Sequence, residues 1–364
     1  MKSKIIAVAI FGLTVATVMF FPALTGNALP GQSVVHPIAP VAVTNQSPKV
    51  VVVFVLDTTG SMSGLIQAAK DKIWSIATTM ASAQPVPEIR IGLVAYRDRG
   101  DAYVTRVVDL SQDLDSMYAT LMDFQAGGGG DTPESVNQAL HDAVNSISWS
   151  TDDDAYKVIF LVGDAPPHMD YRDDVKYSET LSVAKIKGIV VNTVQCGELG
   201  TTVAPWQQIA ALGSGRYFQV DQAGGTLAMT TPYDEALASL SAELDATRLY
   251  YGNDDEKARM KEKQQATHKL HAFSSFESRA RRATFNVSPA GKSNLLGENE
   301  LVDDVASGRV DLSTIDADAL PASMQAMAPE ERKDLLAKTA AKRGELERQV
   351  KELAQKRDNF IDEQ

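Results

Sequence analysis

The sequence predicts an α/β protein with a doubly wound, mostly parallel sheet, helices on both faces of the sheet and a helical C-terminal region. Two observations lead to this fold class. Continuously apolar, β-branched runs such as residues 50–56 are typical of parallel strands buried on both faces. Between these runs lie segments whose apolar residues recur at helical spacing. Strands and helices that alternate in this way favour parallel crossover connections.

Each element is predicted from its local pattern. The second and third strands are close enough in sequence to pair as a hairpin across residues 97–102. Pro133 suits the first turn of a helix, so a helix is expected to open at residues 131–134. The predicted strands are residues 50–56, 89–96, 103–108, 158–162, 189–194 and 216–220. The other predicted helices are residues 65–80, 114–124, 174–187, 203–212 and 329–361.

The first 28 residues have the pattern of an export signal. Lys2 and Lys4 precede an uncharged apolar run at residues 5–21, and small residues follow that run. Because the run is near the lower limit for crossing a bilayer, an uncleaved anchor is the alternative. We therefore expect a periplasmic or secreted protein, or one that is tethered to the inner membrane by this segment alone.

The rest of the chain is expected to divide into four segments. A stretch rich in proline, valine and polar residues has the composition of a flexible linker. The last helix has weak heptad spacing, so it forms a coiled coil or packs on its own domain. The expected segments are a linker at 29–48, an α/β domain at 49–244, a mixed accessory region at 245–328 and the C-terminal helix at 329–364.

The composition excludes some classes of partner. The chain of 364 residues has a formal net charge of −12, and most of the acidic excess lies between residues 50 and 242. This charge argues against nucleic acid and against anionic membrane surfaces as partners, whereas it suits carboxylates placed around a cation. The single cysteine, Cys196, excludes an intramolecular disulfide, and its apolar surroundings predict a small buried side chain.

Three loops carry oxygen-bearing side chains at positions that a sheet would bring together. Asp57, Thr59 and Ser61 alternate along the loop after the first strand, Thr132 follows a run of glycines, and Asp164 follows the strand at 158–162. Ligands of such sheets bind beyond the carboxyl ends of the strands. Hydroxyl and carboxylate oxygens suit a hard divalent cation such as Mg²⁺. Taken alone, each of these residues could instead be a helix N-cap.

This pattern resembles the von Willebrand factor type A (VWA) domain and its metal-ion-dependent adhesion site, in the form found in exported bacterial proteins. That family has Asp-x-Ser-x-Ser on one loop, Thr on a second and Asp on a third. Asp57, Thr59 and Ser61 match the first loop, with Thr59 in place of the usual Ser, while Thr132 and Asp164 match the others. The resemblance implies that the three hydroxyls contact the metal and that the two aspartates do so directly or through water. Mg²⁺ is the expected ion, with Mn²⁺ or Ca²⁺ as alternatives.

The resemblance also implies a function. In the family, a Glu or Asp of a partner protein completes the coordination of the metal, so this chain is expected to be a binding protein and not an enzyme. Asp131, Ser63 and His168 are candidates for positions behind the metal ligands or at the rim of the site. Their alternatives are a solvated loop position for Asp131, the start of a helix for Ser63 and a surface loop position for His168.

The first loop has other interpretations. An apolar strand followed by Asp57 also resembles the opening motif of haloacid dehalogenase-type phosphatases, in which Asp57 would be the nucleophile. Those enzymes have a second Asp two residues later as the acid, and Thr59 stands there. A nucleotide loop is disfavoured because no Gly-Lys-Ser/Thr follows residues 127–130. A serine hydrolase is disfavoured because Ser61 lacks the Gly-x-Ser-x-Gly setting. A scaffold that has lost its metal is the remaining class.

Overall fold

The computed structural model describes residues 47–64, 66, 79–80, 83, 85–130, 132–152, 154–220 and 230–363. The predicted export signal or anchor, nearly all of the predicted linker and most of the predicted helix at 65–80 lie outside these residues. Asp131 lies outside them as well. No helix within the described part of the chain is long and apolar enough to cross a membrane.

A six-stranded sheet forms the centre of the α/β region, in the order β3-β2-β1-β4-β5-β6. All neighbouring strands are parallel except β2 and β3, which form the predicted antiparallel hairpin. The predicted mostly parallel sheet is therefore confirmed. The strands are β1 (Lys49–Asp57), β2 (Glu88–Tyr96), β3 (Thr105–Ser111), β4 (Tyr156–Gly163), β5 (Ile189–Cys196) and β6 (Ser214–Val220).

Helices lie along the α/β region and make up most of the tail. Within the α/β region they are α1 (Leu114–Asp123), α2 (Val136–Asn145), α3 (Tyr177–Ile186), α4 (Gly200–Leu212) and α5 (Asp234–Asp245). The tail contains α6 (Asp254–Phe273), α7 (Phe276–Asn286), α8 (Lys292–Leu296), α9 (Leu301–Ala306), α10 (Ala322–Gln325) and α11 (Pro329–Glu363). Short 3₁₀ turns occur at Gly60–Met62, Leu312–Thr314 and Ala317–Ala319.

The predicted start of α2 was wrong by a few residues. Glu134 is extended, because its backbone N–H donates to the carbonyl of Pro166 at 2.9 Å and its carbonyl accepts from the N–H of His168 at 3.0 Å. This short parallel pairing holds the segment out of the helix, which begins at Val136 with Ser135 as its N-cap. Pro133 therefore precedes the helix.

Alternate residues of the central strands point into two separate cores, which explains why the strands are apolar throughout. One core contains Val53 and Val55 of β1 together with buried residues of α2, α3 and α4. The other contains Val52 of β1, residues of α1, and Leu270 and Phe285 from the tail. Tail helices therefore cover the same face of the sheet as α1. The predicted segment limits at 244 and 328 stay predictions.

The long C-terminal helix α11 packs on its own chain. Leu346 and Val350 lie in a core that also includes residues of α5, α7 and α8. The Arg343 guanidinium donates to both carboxylate oxygens of Glu300 at 2.8 Å. Arg357 donates through Nε to Oδ1 of Asp234 at 2.7 Å. The apolar side of this helix is therefore covered by α5 and by the other helices of the tail.

Candidate metal centre

The loop after β1 brings three predicted side chains together. Asp57 is fully buried, and its Oδ1 accepts hydrogen bonds from the N–H of Thr59 at 2.8 Å and from Oγ1 of Thr59 at 2.6 Å. Oγ1 of Thr59 lies 3.2 Å from Oγ of Ser61. The carboxylate and the two hydroxyls therefore face one another, as their alternation along the loop predicts.

Contacts with neighbouring segments hold this loop in place. The N–H and the hydroxyl of Thr58 both donate to the carbonyl of Tyr96 at the end of β2, each at 2.9 Å. The N–H of Gly60 donates to the carbonyl of Gly128 at 3.2 Å, and the N–H of Gly127 donates to the carbonyl of Thr58 at 3.1 Å. Thr58 is thus used for anchoring, and the glycine-rich second loop lies directly against the first.

Asp164 joins this group from the loop after β4. Strands β1 and β4 are parallel neighbours, so their carboxyl ends lie side by side. The Ser61 side chain forms a hydrogen bond with the Asp164 carboxylate. On the far side, the Thr202 hydroxyl of α4 donates to the carbonyl of Asp164 at 2.9 Å. The third loop is therefore anchored to α4 and presents its carboxylate to the first loop.

Burial dominates the electrostatics of these carboxylates. It raises the pKa of Asp57 to about 7, against the opposing hydrogen bonds from Thr59 and with a further contribution from the charge of Asp164. Burial also raises the pKa of Asp164, although the hydrogen bond from Ser61 opposes it. Within the described residues, Oδ2 of Asp57 is buried without a hydrogen-bond partner. A cation at this position would balance the negative charge of these buried carboxylates.

The second loop differs from the sequence-based expectation. Thr132 is exposed, and no hydrogen bond joins it to the other four predicted ligands within the described part of the chain. Glu134, two residues later, is buried instead. Burial, followed by the charges of Asp57 and of three other aspartates, raises the pKa of Glu134 to about 9. The structure thus brings together Asp57, Thr59, Ser61 and Asp164, and the role of Thr132 stays a prediction.

Sequence reasoning missed Glu134 and two aspartates between β2 and β3. Oδ1 of Asp98 accepts from the Ser135 hydroxyl at 2.8 Å, and its Oδ2 accepts from the Tyr171 hydroxyl at 2.8 Å. Oδ2 of Asp101 accepts from the N–H of Gly129 at 3.0 Å. The signal that was available is their place in the hairpin loop, which lies at the same edge of the sheet as the first loop.

His168 lies on the third loop and is buried, so it is not a surface residue. It is 4% exposed, and its Nδ1 is hydrogen-bonded to Oδ1 of Asp170 at 2.8 Å. Its ring stacks on that of Tyr171 with centroids 4.0 Å apart, and the guanidinium of Arg99 lies over the same Tyr171 ring at 4.2 Å. Ser63 is exposed at the end of the 3₁₀ turn. His168 therefore stabilises the third loop through its contacts with Asp170 and Tyr171.

The donor set fits a hard cation that accepts hydroxyl ligands. Within the described residues, no three His, Cys, Asp or Glu side chains form a metal cage by themselves. A bound ion would therefore depend on the hydroxyls of Thr59 and Ser61 as well as on carboxylates. Cys196 lies in a buried cluster with Met62 and Ile66. Burial, followed by the charges of Asp164 and Asp57, raises the pKa of its thiol.

The profile of the family described as von Willebrand factor A domain matches residues 51–232, which is half of the chain. The chain belongs to this family. Its VWA domain therefore contains the first and third loops of the site as well as the glycine-rich loop between them. Membership of the family indicates a role in protein–protein interaction or adhesion.

Individual relatives of this VWA domain are distant. A putative ariadne-like RING finger protein of Acanthamoeba polyphaga mimivirus is 26% identical over 114 residues, which cover 31% of this chain. The chain spans only 11% of the length of that curated relative. The solved SpRpn10 VWA domain has 14% identity and a TM-score of 0.37, covering 48% of this chain and 89% of that one. Proximal thread matrix protein 1 from the mussel byssus, with a zinc-occupied MIDAS motif, has 14% identity and a TM-score of 0.38, covering 48% of this chain and 42% of that one.

Proposed function

We propose that this chain is an exported VWA-domain binding protein that holds a divalent metal and uses it to bind an acidic residue of a partner protein. The observation that supports this proposal is the convergence of Asp57, Thr59, Ser61 and Asp164 at one edge of the sheet. Hydroxyls are neutral ligands, so an ion held partly by Thr59 and Ser61 keeps positive charge for an outside carboxylate. Mg²⁺ is the proposed ion, with Mn²⁺ or Ca²⁺ as alternatives.

Binding is proposed in place of catalysis because of what stands at position 59. Phosphoryl transfer of the haloacid dehalogenase type needs a second carboxylate there to protonate the leaving group. The Thr59 side chain carries no carboxyl group that could do this, and its hydroxyl instead donates to Oδ1 of Asp57 at 2.6 Å. Steady turnover of a generic phosphomonoester, lost in Asp57→Asn, would contradict the proposal and favour the phosphatase.

Export is proposed from the N-terminal sequence alone, namely the basic start and the apolar run at residues 5–21. Cell fractionation with an antibody against the VWA domain checks it, and mass spectrometry of the isolated chain shows whether residues 1–28 have been removed. A full-length chain in the cytoplasmic fraction would contradict export.

The metal proposal predicts that Asp57→Ala weakens divalent metal binding by at least ~10-fold, because outer partners of metal ligands already contribute 10–100-fold. Isothermal titration with Mg²⁺ and with Mn²⁺ measures the affinity. Ser63→Ala is the matched control, since Ser63 is exposed two residues beyond Ser61 and should leave the affinity unchanged. Equal metal affinity in the Asp57 variant and the wild type would rule out the site.

The partner proposal is tested by capture from the native envelope fraction with and without EDTA. We expect a set of proteins that bind the wild-type chain with Mg²⁺ and that are lost both with EDTA and with Asp57→Ala. Mass spectrometry identifies them. The same proteins retained under all three conditions would show that binding does not pass through the metal.

A further inference from the structure

We infer that Arg97 and Arg106, whose guanidinium groups both lie over the ring of Tyr103, form a second contact for the partner protein and bind another acidic residue beside the one at the metal. The inference rests on the proposed function and deepens it. The partner would carry two carboxylates close together, one for the ion and one for this arginine pair.

Two positive charges share one aromatic ring at this place. The guanidinium carbon of Arg97 lies 4.6 Å from the centroid of the Tyr103 ring, and that of Arg106 lies 4.3 Å from it. The ring is half-buried and packs against the core that contains α1, which holds it in position. Because the face of an aromatic ring is negative, Tyr103 attracts both guanidinium groups and limits where they move.

The arginine pair lies beside the loops of the candidate metal site. The Tyr103 hydroxyl is 2.7 Å from the hydroxyl of Thr58 in the first loop. Arg97 directly follows β2, and its Nη2 donates to the carbonyl of Gln125 at 2.7 Å. A Cβ atom added to Gly127 would lie 3.5 Å from the same nitrogen, so the guanidinium lies against the glycine-rich loop. The pair therefore adjoins both the first and the second loop.

No carboxylate in the described part of the chain neutralises this pair. Neither Arg97 nor Arg106 forms an ion pair there, although Asp and Glu outnumber Lys and Arg by 47 to 35 in the sequence. By contrast, Nη1 of Arg99 on the same hairpin pairs with Asp173 at 2.9 Å. Nε of Arg97 is buried without a hydrogen-bond partner among the described residues, and Arg106 is exposed. Two like charges held side by side attract an anion, so the pair suits a carboxylate from outside.

This chemistry narrows the class of partner. A planar guanidinium binds a carboxylate through two parallel N–H donors, and stacking on an aromatic ring leaves donors free at its edge. A segment with a single acidic residue would occupy the metal alone, whereas a segment with two would also fill the arginine pair. We therefore expect the partner to offer a protein segment that is acidic at two nearby positions.

NMR titration of the Mg²⁺-saturated chain tests the second contact. The probes are capped Gly/Ser peptides with a single Glu, with two Glu separated by short spacers of different length, and with Gln in place of the second Glu. We expect the second Glu to tighten binding by about 2–5-fold in at least one spacing and to shift the Nε–H signal of Arg106. The peptide with Gln should bind like the peptide with a single Glu.

A substitution on an exposed side chain assigns this gain to the arginine pair. Arg106→Gln should cancel most of the gain from the second Glu, because it removes one of the two charges over Tyr103. Arg90→Gln is the matched control, since Arg90 is an exposed arginine near the start of β2 and its loss changes the net charge equally. It should keep the whole gain. Circular dichroism melts show whether both variants fold.

Failure of the second contact and failure of the metal site give different results. Binding of the single-Glu peptide that is lost with EDTA, without a gain from the second Glu, would overturn this inference and leave the proposed function intact. A gain that survives Arg106→Gln would do the same. If no acidic peptide binds, or if binding is unchanged by EDTA, the proposed function is wrong and this inference falls with it.

Discussion

Thr59 has two roles at the centre of the site. Its hydroxyl donates to Asp57 at 2.6 Å and lies 3.2 Å from the hydroxyl of Ser61. It therefore fixes the orientation of the Asp57 carboxylate, and under the proposed function it is also a ligand of the metal. Ser is the usual residue at this position in the family. Thr59 keeps the hydroxyl of Ser and adds only a methyl group, so we expect metal binding to be retained.

This reasoning predicts opposite results for two substitutions of Thr59. Thr59→Val keeps the size of the side chain and removes the oxygen, and we expect it to weaken Mg²⁺ and Mn²⁺ binding by ~10-fold or more. Thr59→Ser keeps the oxygen and should bind as well as the wild type. Isothermal titration of both variants decides the matter, and Thr59→Val with wild-type affinity would show that the hydroxyl is not a ligand.

The proximity of four of the five residues predicted as ligands could be foreseen from sequence, because each follows a strand directly or nearly so. The end of an apolar run fixes where Asp57 and Asp164 stand, and alternation fixes Thr59 and Ser61. The second loop has no such constraint. Its path depends on backbone contacts with the third loop, which is distant in sequence, so the exposure of Thr132 and the burial of Glu134 could not be predicted from local pattern.

The glycine-rich loop connects α1 to α2 and determines how closely the second loop approaches the first. Gly128 has φ of 76° and Gly129 has φ of 79°, in the left-handed region that favours glycine. A Cβ atom at Gly128 would lie 2.3 Å from Oδ1 of Asp101, whose other oxygen accepts from Gly129. Both the backbone conformation and the space therefore require glycine at this position.

Gly128→Ala is accordingly expected to lower the free energy of unfolding by about 1–2 kcal/mol from the backbone conformation alone. Displacement of Asp101 should weaken metal binding as well. Gly130→Ala is the matched control, because a Cβ atom there would meet nothing within 4 Å and the residue is not in the left-handed region. Urea denaturation measures both variants, and equal stability of the two would show that the loop is not constrained.

At the level of elements, the six strands could be predicted because buried parallel strands are apolar on both faces and so give long β-branched runs. The start of α2 could not, because Pro133 is compatible with a first helical turn as well as with the extended pairing that the structure has. The tail helices α6 and α7 gave little signal, since their exposed faces are strongly polar.

At the scale of the whole molecule, a buried arginine joins the tail to the α/β region. Arg282 of α7 is fully buried, and its Nε donates to Oδ1 of Asp115 in α1 at 2.6 Å. Its Nη1 donates to Oδ2 of Asp245 in α5 at 2.7 Å and to the Ser241 hydroxyl at 2.8 Å. Nothing in the sequence distinguishes this arginine from the solvated ones around it, because its partners are distant in the chain.

Removal of Arg282 takes away the largest counter-charge of two buried carboxylates, which then keep only Lys263 near Asp115 and Arg248 and His271 near Asp245 among the described residues. We expect Arg282→Met to lower the free energy of unfolding at pH 7 by about 3–5 kcal/mol, as is typical when one partner of a buried ion pair is lost. Arg348→Ala is the control: Arg348 pairs with Glu345 and Glu352 on an exposed face of α11, so its loss should change stability little. Urea denaturation at pH 7 gives both values, and a small effect of Arg282→Met would contradict the view that this residue joins the two regions.

The free energy of unfolding should fall more steeply with decreasing pH in the wild type than in Arg282→Met, because Arg282 controls the ionisation of Asp115 and Asp245. Burial alone would raise the pKa of Asp115, but the charges of Arg282 and Lys263 outweigh it and hold that pKa below its usual value. The pKa of Asp245 is likewise held low, mainly by Arg282 against the effect of burial. A carboxyl whose pKa is lower in the folded than in the unfolded chain stabilises the fold above its usual pKa near 4, and this stability is lost as the pH falls through the folded value.

We therefore expect the wild type to lose stability below about pH 4. In Arg282→Met the largest charge that opposes burial is gone, so protonation of the two carboxyls should cost less stability than in the wild type, and the stability deficit against the wild type should shrink as the pH falls. Urea denaturation of both proteins between neutral pH and pH 3 measures that difference, and a deficit that stays constant with pH would show that Arg282 does not control the ionisation of Asp115 and Asp245.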